Sequence, residues 1–302
     1  MILYYVQGGG LGHAQRTKHV IEHFSLNIQR IVVVSSNYAV TKVLPREINI
    51  HYFPTELYQR QNWNELRKIF QNIFKQYAIQ NFWIDTFPYG IAGELAYISL
   101  PSEMVCTHLA RYLKWENYKR FLASEIKNNI RFQNTYFLEK LHPEQHLFLE
   151  KNSDNLSPLL LNYSSNCPSL EKLPKWFQVL RQKYKFLCLI VHSMPFHEIE
   201  QLFLFAYQHC TQEISINISE VHFLVISPIP SPQNLPKNLT WQYFFPAVDL
   251  FTWADLICTA CGFNIMQEII PFAHKHICLP FERRYDNQFV RYESYQQGKL
   301  FG

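Results

Sequence analysis

The sequence predicts an α/β chain of two doubly wound, Rossmann-like domains, and three observations predict it. Short runs rich in β-branched, aromatic or aliphatic residues (MILYYV, RIVVVSS, NFWI, FLCLIV, VHFLVIS, LICT) alternate with stretches of helical length. That alternation builds parallel sheets covered by helices. The pattern is interrupted once, at Glu150–Pro174, by a polar stretch with Ser157-Pro158 and Asn162–Pro168. A linker there places domains at 1–155 and 170–302. Finally, two strand–turn–helix junctions carry residues of the kind that hold ligands, at Gly8–His13 and across Ala254–Gln288.

Composition narrows the function classes. Hydrophobic residues make up 48% and charged residues 17% of the 302, so the chain forms a core and is not disordered. A net charge of +4 without any Lys/Arg stripe argues against nucleic-acid binding, while permitting attraction to phosphorylated ligands. No secretory leader precedes the first strand and no run of 18 apolar residues occurs, so a cytoplasmic protein without a transmembrane helix is expected. The seven cysteines are scattered through apolar strands, which fits reduced thiols. Cys258 and Cys261 have CxxC spacing, but no second pair or zinc-spaced histidines accompany them, so structural thiols are expected.

In chain order, residues 2–6 read as a strand that runs into the glycine loop, and His13–Phe24 as a helix. Arg30–Ser36 is a buried strand, Asn37–Val43 a helix and Ile48–Phe53 a third strand. Apolar residues at helical spacing (Leu66, Ile69, Phe70, Ile73, Phe74, Tyr77) predict an amphipathic helix over Trp63–Tyr77. Asn81–Ile84 is a strand ending at Asp85, with Thr86–Gly90 turning into another helix. Met104–Cys106 and His146–Leu149 read as short strands flanking a helix at Glu116–Lys127. Beyond the linker come a helix at Trp176–Lys183, a strand at Phe186–Val191 and a helix reaching His209. Strands follow at Val221–Ser227 and Trp241–Phe245, then a short helix at Val248–Trp253. The last unit is βαβ: strand Leu256–Cys258, helix Asn264–Ile270, strand Ile277–Leu279, and the start of a further helix.

Few glycines occur, so Gly8-Gly9-Gly10-Leu11-Gly12-His13 marks a demand on backbone geometry. The spacing is not GxGxxG, and Ser35-Ser36-Asn37 stands where an acidic residue would read a ribose, so a nicotinamide site is excluded. In the last unit, Gly262 opens a helix whose free N–H groups favour an anion. Glu268 lies in that helix, and Asn287 with Gln288 open the next. An anion with a carboxylate and amides nearby suits a nucleotide diphosphate and its ribose.

Asp255, Gly262, Phe263, Asn264, Glu268, Pro280 and Gln288 resemble the C-terminal half of GT-B glycosyltransferases, near the peptidoglycan N-acetylglucosaminyltransferase (family 28-like) type. Gly8–Arg16 (GGGLGHAQR) is similar to the glycine-rich loop of the same family; between the motifs the match is mainly one of layout. The resemblance implies the GT-B fold, with an N-terminal acceptor domain and a C-terminal nucleotide-sugar donor domain facing a central cleft. It implies transfer of a sugar, from a UDP-sugar above all, to an acceptor hydroxyl with inversion and without a metal; no DxD pair occurs. No cofactor is expected beyond the nucleotide-sugar co-substrate.

Inversion needs a base to take the acceptor's proton, and histidine titrates in the right range. The resemblance gives that position to His13. Asp85 either orients His13, binds acceptor or caps the following turn. Gly9, Gly10, Gly12, Thr107 and His108 are acceptor-side candidates, and Arg16 reads as solvated. Donor-side candidates are Gly262, Phe263, Asn264, Glu268, Asn287, Gln288 and Ser193, with Arg283 and Arg284 offsetting diphosphate charge. In the family the glutamate matched by Glu268 accepts from ribose hydroxyls, and an acid stands where this chain has Asn287. The turn His192–Pro195 lacks the glycine-rich loop that many relatives set against donor phosphates. The sequence stops at Gly302 where relatives continue with further helices, so a short form or an incomplete sequence is expected. A saccharide, lipid-linked or small-molecule acceptor fits. Tyr112, Lys114, Trp115, Lys119 and Arg120 are candidates for peripheral contact with the inner membrane. Two other readings stand: a non-catalytic nucleotide-sugar or glycan binder, and a nucleotide-sugar epimerase on the same fold.

Overall fold

Among the described residues every strand pairing is parallel, and the strands form two separate sheets. The structure is a computed structural model that describes residues 1–302 except 9, 39, 60, 61, 123–129, 164–166 and 299–302. The chain divides into two compact units: Met1–Asn162 with Arg283–Asn287, and Tyr163–Glu282 with 288–298.

The first unit holds strands β1 (Ile2–Tyr5), β2 (Ile31–Ser35), β3 (Asn49–Tyr52), β4 (Asn81–Asp85), β5 (Val105–Ala110), β6 (Phe132–Phe137) and β7 (Ser153–Pro158). Their order across the sheet is β3-β2-β1-β4-β5-β6-β7. Its helices are α1 (Gly12–His23), α2 (Val40–Val43), α3 (Glu56–Gln59), α4 (Trp63–Gln76), α5 (Trp115–Tyr118) and α6 (Pro143–Asn152). Ile31 to Val34 are all fully buried, which a strand covered on both faces requires. Helix α4 starts where the Asn62 side chain accepts from Glu65 N and Glu65 accepts back from Asn62 Nδ2. It buries Leu66, Phe70 and Ile73 against the sheet. Each fully buried phenylalanine there, such as Phe70 or Phe82, contributes about 1.5–3 kcal/mol.

The second unit holds β8 (Phe186–Val191), β9 (Val221–Ile226), β10 (Leu239–Gln242), β11 (Leu256–Ala260) and β12 (His276–Leu279), ordered β10-β9-β8-β11-β12. Helices α7 (Lys175–Lys183), α8 (Phe196–Gln208), α9 (Phe263–Glu268) and α10 (Gln288–Gln296) accompany them. Asp255 ties the start of β11 to β8, accepting from Leu187 N at 2.8 Å and from Arg181 at 3.2 Å.

Each sheet reverses its winding once, between β1 and β4 in the first unit and between β8 and β11 in the second. Loops diverge at such a reversal and leave a crevice beyond the strand ends, where open α/β sheets take ligands. Gly8–His13 follows β1 and Asp85-Thr86 closes β4. His192 follows β8 and Gly262 follows β11. The ligand-type residues therefore stand at both reversals.

Several elements differ from the sequence reading. His146–Leu149 is not a strand but part of α6, started by Pro143 and by the His142 ring, which accepts from Glu144 N. A four-residue apolar run does not distinguish strand from helix. The expected linker contains β7, an edge strand whose backbone pairs with β6 although its side chains are polar; an edge tolerates Pro158. Strand β6 was not anticipated, nor was α3. Strand β5 runs on to Ala110 beyond Cys106. After Gly90 only a 3-10 turn, Glu94–Tyr97, forms, pinned by the buried Glu94 carboxylate, which accepts from Tyr5 Oη and from Ile91 N and Ala92 N. The helix at Glu116–Lys127 is reduced to α5 and the 3-10 turn Lys119–Phe121, and 123–127 lie outside the described residues. Helix α9 stops at Glu268 and gives way to the 3-10 turn Ile270–Lys275, where Pro271 has no N–H to continue an α-helix. Trp115 is buried at 3% exposure under Tyr118 and Phe148, so it is not a surface anchor for a membrane. No described helix is long and apolar enough to cross one.

Candidate functional site

At the reversal of the first sheet, His13, Arg16, Asp85 and Thr86 form one buried cluster. Asp85 is fully buried at the end of β4, and its Oδ2 lies 2.5 Å from His13 Nδ1. Arg16, one turn further along α1, donates through Nε to Asp85 Oδ1 at 2.7 Å and through Nη2 to Oδ2 at 2.6 Å. The same Nη2 reaches Thr86 Oγ1 at 2.7 Å. Arg16 was expected in solvent; it is wholly buried. Its sequence signal was only its spacing of three from His13, which places both on one helical face.

The electrostatics follow from this packing. Burial pushes the Asp85 carboxyl up, but Arg16 and His13 together outweigh it and hold the group well below the usual carboxylate range. Burial lowers the His13 value; Asp85 offsets part of that, while Arg16 and Arg111 lower it further. Facing a carboxylate, His13 Nδ1 carries the proton and donates it. The 2.9 Å approach of Arg16 Nη2 to Nδ1 is then two donors converging on one oxygen. The basic lone pair falls on Nε2. A neutral imidazole oriented by a carboxylate is a competent general base at neutral pH.

The glycine loop makes room for that ring. A Cβ on Gly8, where φ is +146°, would lie 2.2 Å from His13 Nε2 and Cδ2. Asn37 Nδ2 donates to Gly8 O and Gly10 O, both at 2.7 Å, so the residue after β2 braces the loop rather than reading a ribose. Gly12 begins α1, and Gly9 lies outside the described residues.

Thr107 and His108 do not project past the end of β5 as expected. Both lie within it, at 3% and 0% exposure, because the strand is longer than its apolar run. His108 Nε2 is 3.1 Å from Thr86 O and supports it from below. Burial holds the His108 ring down to about 4, against the smaller pull of Thr86 O and Asp85. Thr86 itself has φ +64°, a left-handed conformation that costs about 1–3 kcal/mol outside glycine and is held here by Arg16 and His108. Asp85 is thus an ion-pair partner and not a helix cap.

Segment 283–287 belongs to this first unit, which the sequence did not indicate. Tyr285 O accepts from Lys114 N at 2.7 Å, Arg284 O accepts from Asn117 Nδ2 at 2.8 Å, and Asp286 pairs with Arg111 at 3.2 Å. The Tyr285 ring packs 5.6 Å from Phe87, which stacks on His13 at 6.1 Å. Arg284 lies over the Tyr285 ring.

Of the donor-side candidates, Gly262, Phe263, Asn264, Glu268, Gln288 and Ser193 lie in the second unit, while Arg283, Arg284 and Asn287 fall in the first. Gly262 caps α9 with φ −68°, and a Cβ there would meet only Ile265 Cγ2 at 3.8 Å. The fold does not demand glycine at this position. Phe263, Asn264 and Glu268 are buried at 3%, 8% and 6% exposure. Burial, followed by the nearby Asp249, pushes the Glu268 carboxyl up to about 8. Gln288 is buried, its Oε1 accepting from Phe281 N at 3.0 Å, so it braces the loop before α10; Asn287 beside it is half-buried. Arg291, not singled out from sequence, donates to Cys261 O at 3.1 Å and fixes the turn into α9. Ser193 is half-buried next to His192, whose Nε2 lies 2.7 Å from Glu198 Oε2. Cys258 and Cys261 are free, buried thiols, as are Cys188, Cys210 and Cys278. Among the described residues no three His, Cys, Asp or Glu side chains are placed to hold a metal ion.

No protein-family model matches this sequence, and no curated protein sequence does. Solved structures do. A variant of Os79 from O. sativa in complex with UDP superposes with TM-score 0.63 at 10% identity, covering 98% of this chain and 84% of that one. The S. aureus MnaA–UDP structure gives 0.58 at 11% identity, over 100% and 83%. WaaG, a glycosyltransferase involved in lipopolysaccharide biosynthesis, gives 0.54 at 12% identity, over 99% and 92%. At such identities the likeness establishes the fold. The two parallel α/β sheets, of seven and five strands, have the GT-B architecture.

Proposed function

We propose that this protein is a glycosyltransferase that moves a sugar from a nucleotide-sugar, a UDP-sugar by preference, to an acceptor hydroxyl with inversion. The observation that carries the reading is the His13–Asp85–Arg16 cluster at the β1/β4 reversal. In this scheme His13 Nε2 takes the acceptor's hydroxyl proton as that oxygen attacks the anomeric carbon. The bond from that carbon to the donor's phosphate oxygen breaks, and the nucleoside diphosphate leaves. Asp85 stabilises the imidazolium that forms, and Arg16 keeps Asp85 ionised. Two of the superposed structures hold UDP, which supports the choice of nucleotide.

The second unit would bind the donor. Gly262 offers a ligand backbone without a side chain of its own, and Phe263, Asn264, Glu268, Gln288 and Ser193 belong to the same unit, while the candidate Asn287 falls in the first. Gln288 acts there by shaping its loop. Gly10 and Gly12 shape the acceptor side, and His108 supports it from within the sheet. The resemblance to the peptidoglycan N-acetylglucosaminyltransferase type makes a saccharide or lipid-linked acceptor the first to try.

Thermal stabilisation against UDP, GDP, TDP and their sugars tests the reading. One nucleotide raises the melting temperature, and Glu268→Ala abolishes that shift. No shift with any nucleotide would sink the proposal. A wild type that binds UDP-sugars but turns over none would favour a binding protein on the same fold.

A further inference from the structure

We propose that the outer edge of β10 and the groove beside it dock an extended, acidic segment of a partner protein, which adds a strand to the second sheet. This surface lies within the second unit and is independent of the sugar-transfer reading. Strand β10 ends the order β10-β9-β8-β11-β12 and pairs with β9 alone.

The backbone provides one half of the fit. Asn238 O and Gln242 O accept from Phe223 N and Ser227 N at 2.8 and 3.0 Å, so these alternate residues address β9. Neighbouring residues of a strand address opposite sides. Trp241 therefore turns its N–H and C=O off the sheet, where no described residue bonds them. Edges are ordinarily blunted by charge, proline or a bulge; Leu239–Gln242 (LTWQ) has none of these.

The flank provides the other half. Thr240 and Gln242 share one face of β10, and with Lys175, Trp176, Val179 and Leu180 of α7 they line a groove of about 310 Å³. Trp241 takes the opposite face, its ring 5.8 Å from Phe196. Thr240 is held from behind, its hydroxyl 2.8 Å from Nε2 of buried His222, whose ring stacks on Tyr184 at 3.9 Å. Val179 stays 50% exposed, although Phe177 and Leu180 of the same helix pack into the core. An apolar side chain of an added strand, pointing to this face, fills the groove.

Charge selects the occupant. Stretches 172–185 and 221–248, which hold both walls, contain Lys172, Lys175, Arg181, Lys183, Lys185 and Lys237 and no Asp or Glu. Asp255 pairs with Arg181 and Glu220 with Lys185, so the remaining lysines leave the surface positive. A second copy of this edge would set like charges against each other. An anionic bilayer offers no backbone to pair with Trp241.

Fluorescence polarisation with the full chain measures binding of a labelled peptide of about eight residues, valine and phenylalanine at its centre and glutamates toward both ends. One control peptide carries lysine for glutamate, and another is N-methylated at its backbone amides. The acidic peptide binds, and both controls bind about tenfold more weakly or worse. Lys175→Glu and Val179→Asp weaken the acidic peptide by a similar factor, as does high salt for the wild type. Both side chains are exposed, so both variants keep the wild-type melting temperature. A wild type that binds no peptide, controls that bind equally well, or variants that bind like wild type overturn the proposal. Vesicles of phosphatidylglycerol bound through Lys175 without any peptide binding overturn it in favour of a membrane surface.

Discussion

His13 and Arg16, one turn apart on α1, converge on the same oxygen of Asp85, at 2.5 and 2.6 Å. The arrangement divides the carboxylate's work. Arg16 neutralises its charge in a buried setting, and His13 takes its orientation from it. Asp85 therefore fixes the tautomer of the imidazole without making it permanently cationic.

If Nε2 of His13 is the base, His13→Gln lowers turnover of a UDP-sugar by about 10²–10⁴-fold, the usual worth of a positioned base. UDP binding, measured by thermal shift, stays as in wild type if the second unit holds the nucleotide, as proposed. Full activity in this variant would remove His13 from the mechanism.

Arg16→Met leaves Asp85 buried without its principal counter-charge. Breaking such a pair costs about 3–5 kcal/mol, read as a lower urea midpoint. Arg16 is also one of the groups that lower the His13 value, so its loss moves the acid limb of the pH–rate profile upward from its wild-type position below 6.5. A limb that stays in place would show that Arg16 does not act on His13.

The two glycine turns separate by substitution. Gly8→Ala sets a methyl group within 2.2 Å of the His13 ring at φ +146°, so both stability and activity fall, with a folding cost of about 1–3 kcal/mol. Gly262→Ala has a permissive φ and no clash, so it leaves stability within about 0.5 kcal/mol of wild type. If a nucleotide approaches that backbone, the same variant loses its UDP-induced melting shift. Retention of the full shift would place the ligand elsewhere.

Glu268 gives the fold a pH signature. Its value rises from 4.5 to about 8 in the folded protein. Between those values the native state holds a proton that the unfolded chain has released, so stability falls as pH rises from about 4.5 to about 8. Glu268→Gln removes that slope, and denaturant titrations at pH 5 and pH 8 compare the two proteins. Equal slopes in both would show that Glu268 ionises normally.

The fold class and both candidate turns were legible in the sequence because they rest on local signals. Val32 to Val34 and Leu187 to Ile190 announce two-sided burial, Gly8 to Gly12 announce an unusual backbone path, and Leu66, Phe70 and Ile73 announce a helix by their spacing. Strand β7 gave no such signal, since an edge strand is stabilised by backbone pairing to β6 and its side chains are free to be polar. His146–Leu149 misled because four apolar residues fit a strand and a helix equally, and Pro143 with His142 decided between them.

The sequence by itself determined the alternating architecture and the presence of His13, Asp85 and Glu268 at strand ends or in the helix that follows. Tertiary structure alone decided what those residues are. Arg16 and Asp85, 69 positions apart, become an ion pair only when β1 and β4 lie side by side. His108 became a support rather than a contact because β5 continues past its apolar run, and segment 283–287 joined the first unit through Lys114, Asn117 and Arg111. Burial and the charge of a distant neighbour set ionisation, and neither is written in the local pattern of residues.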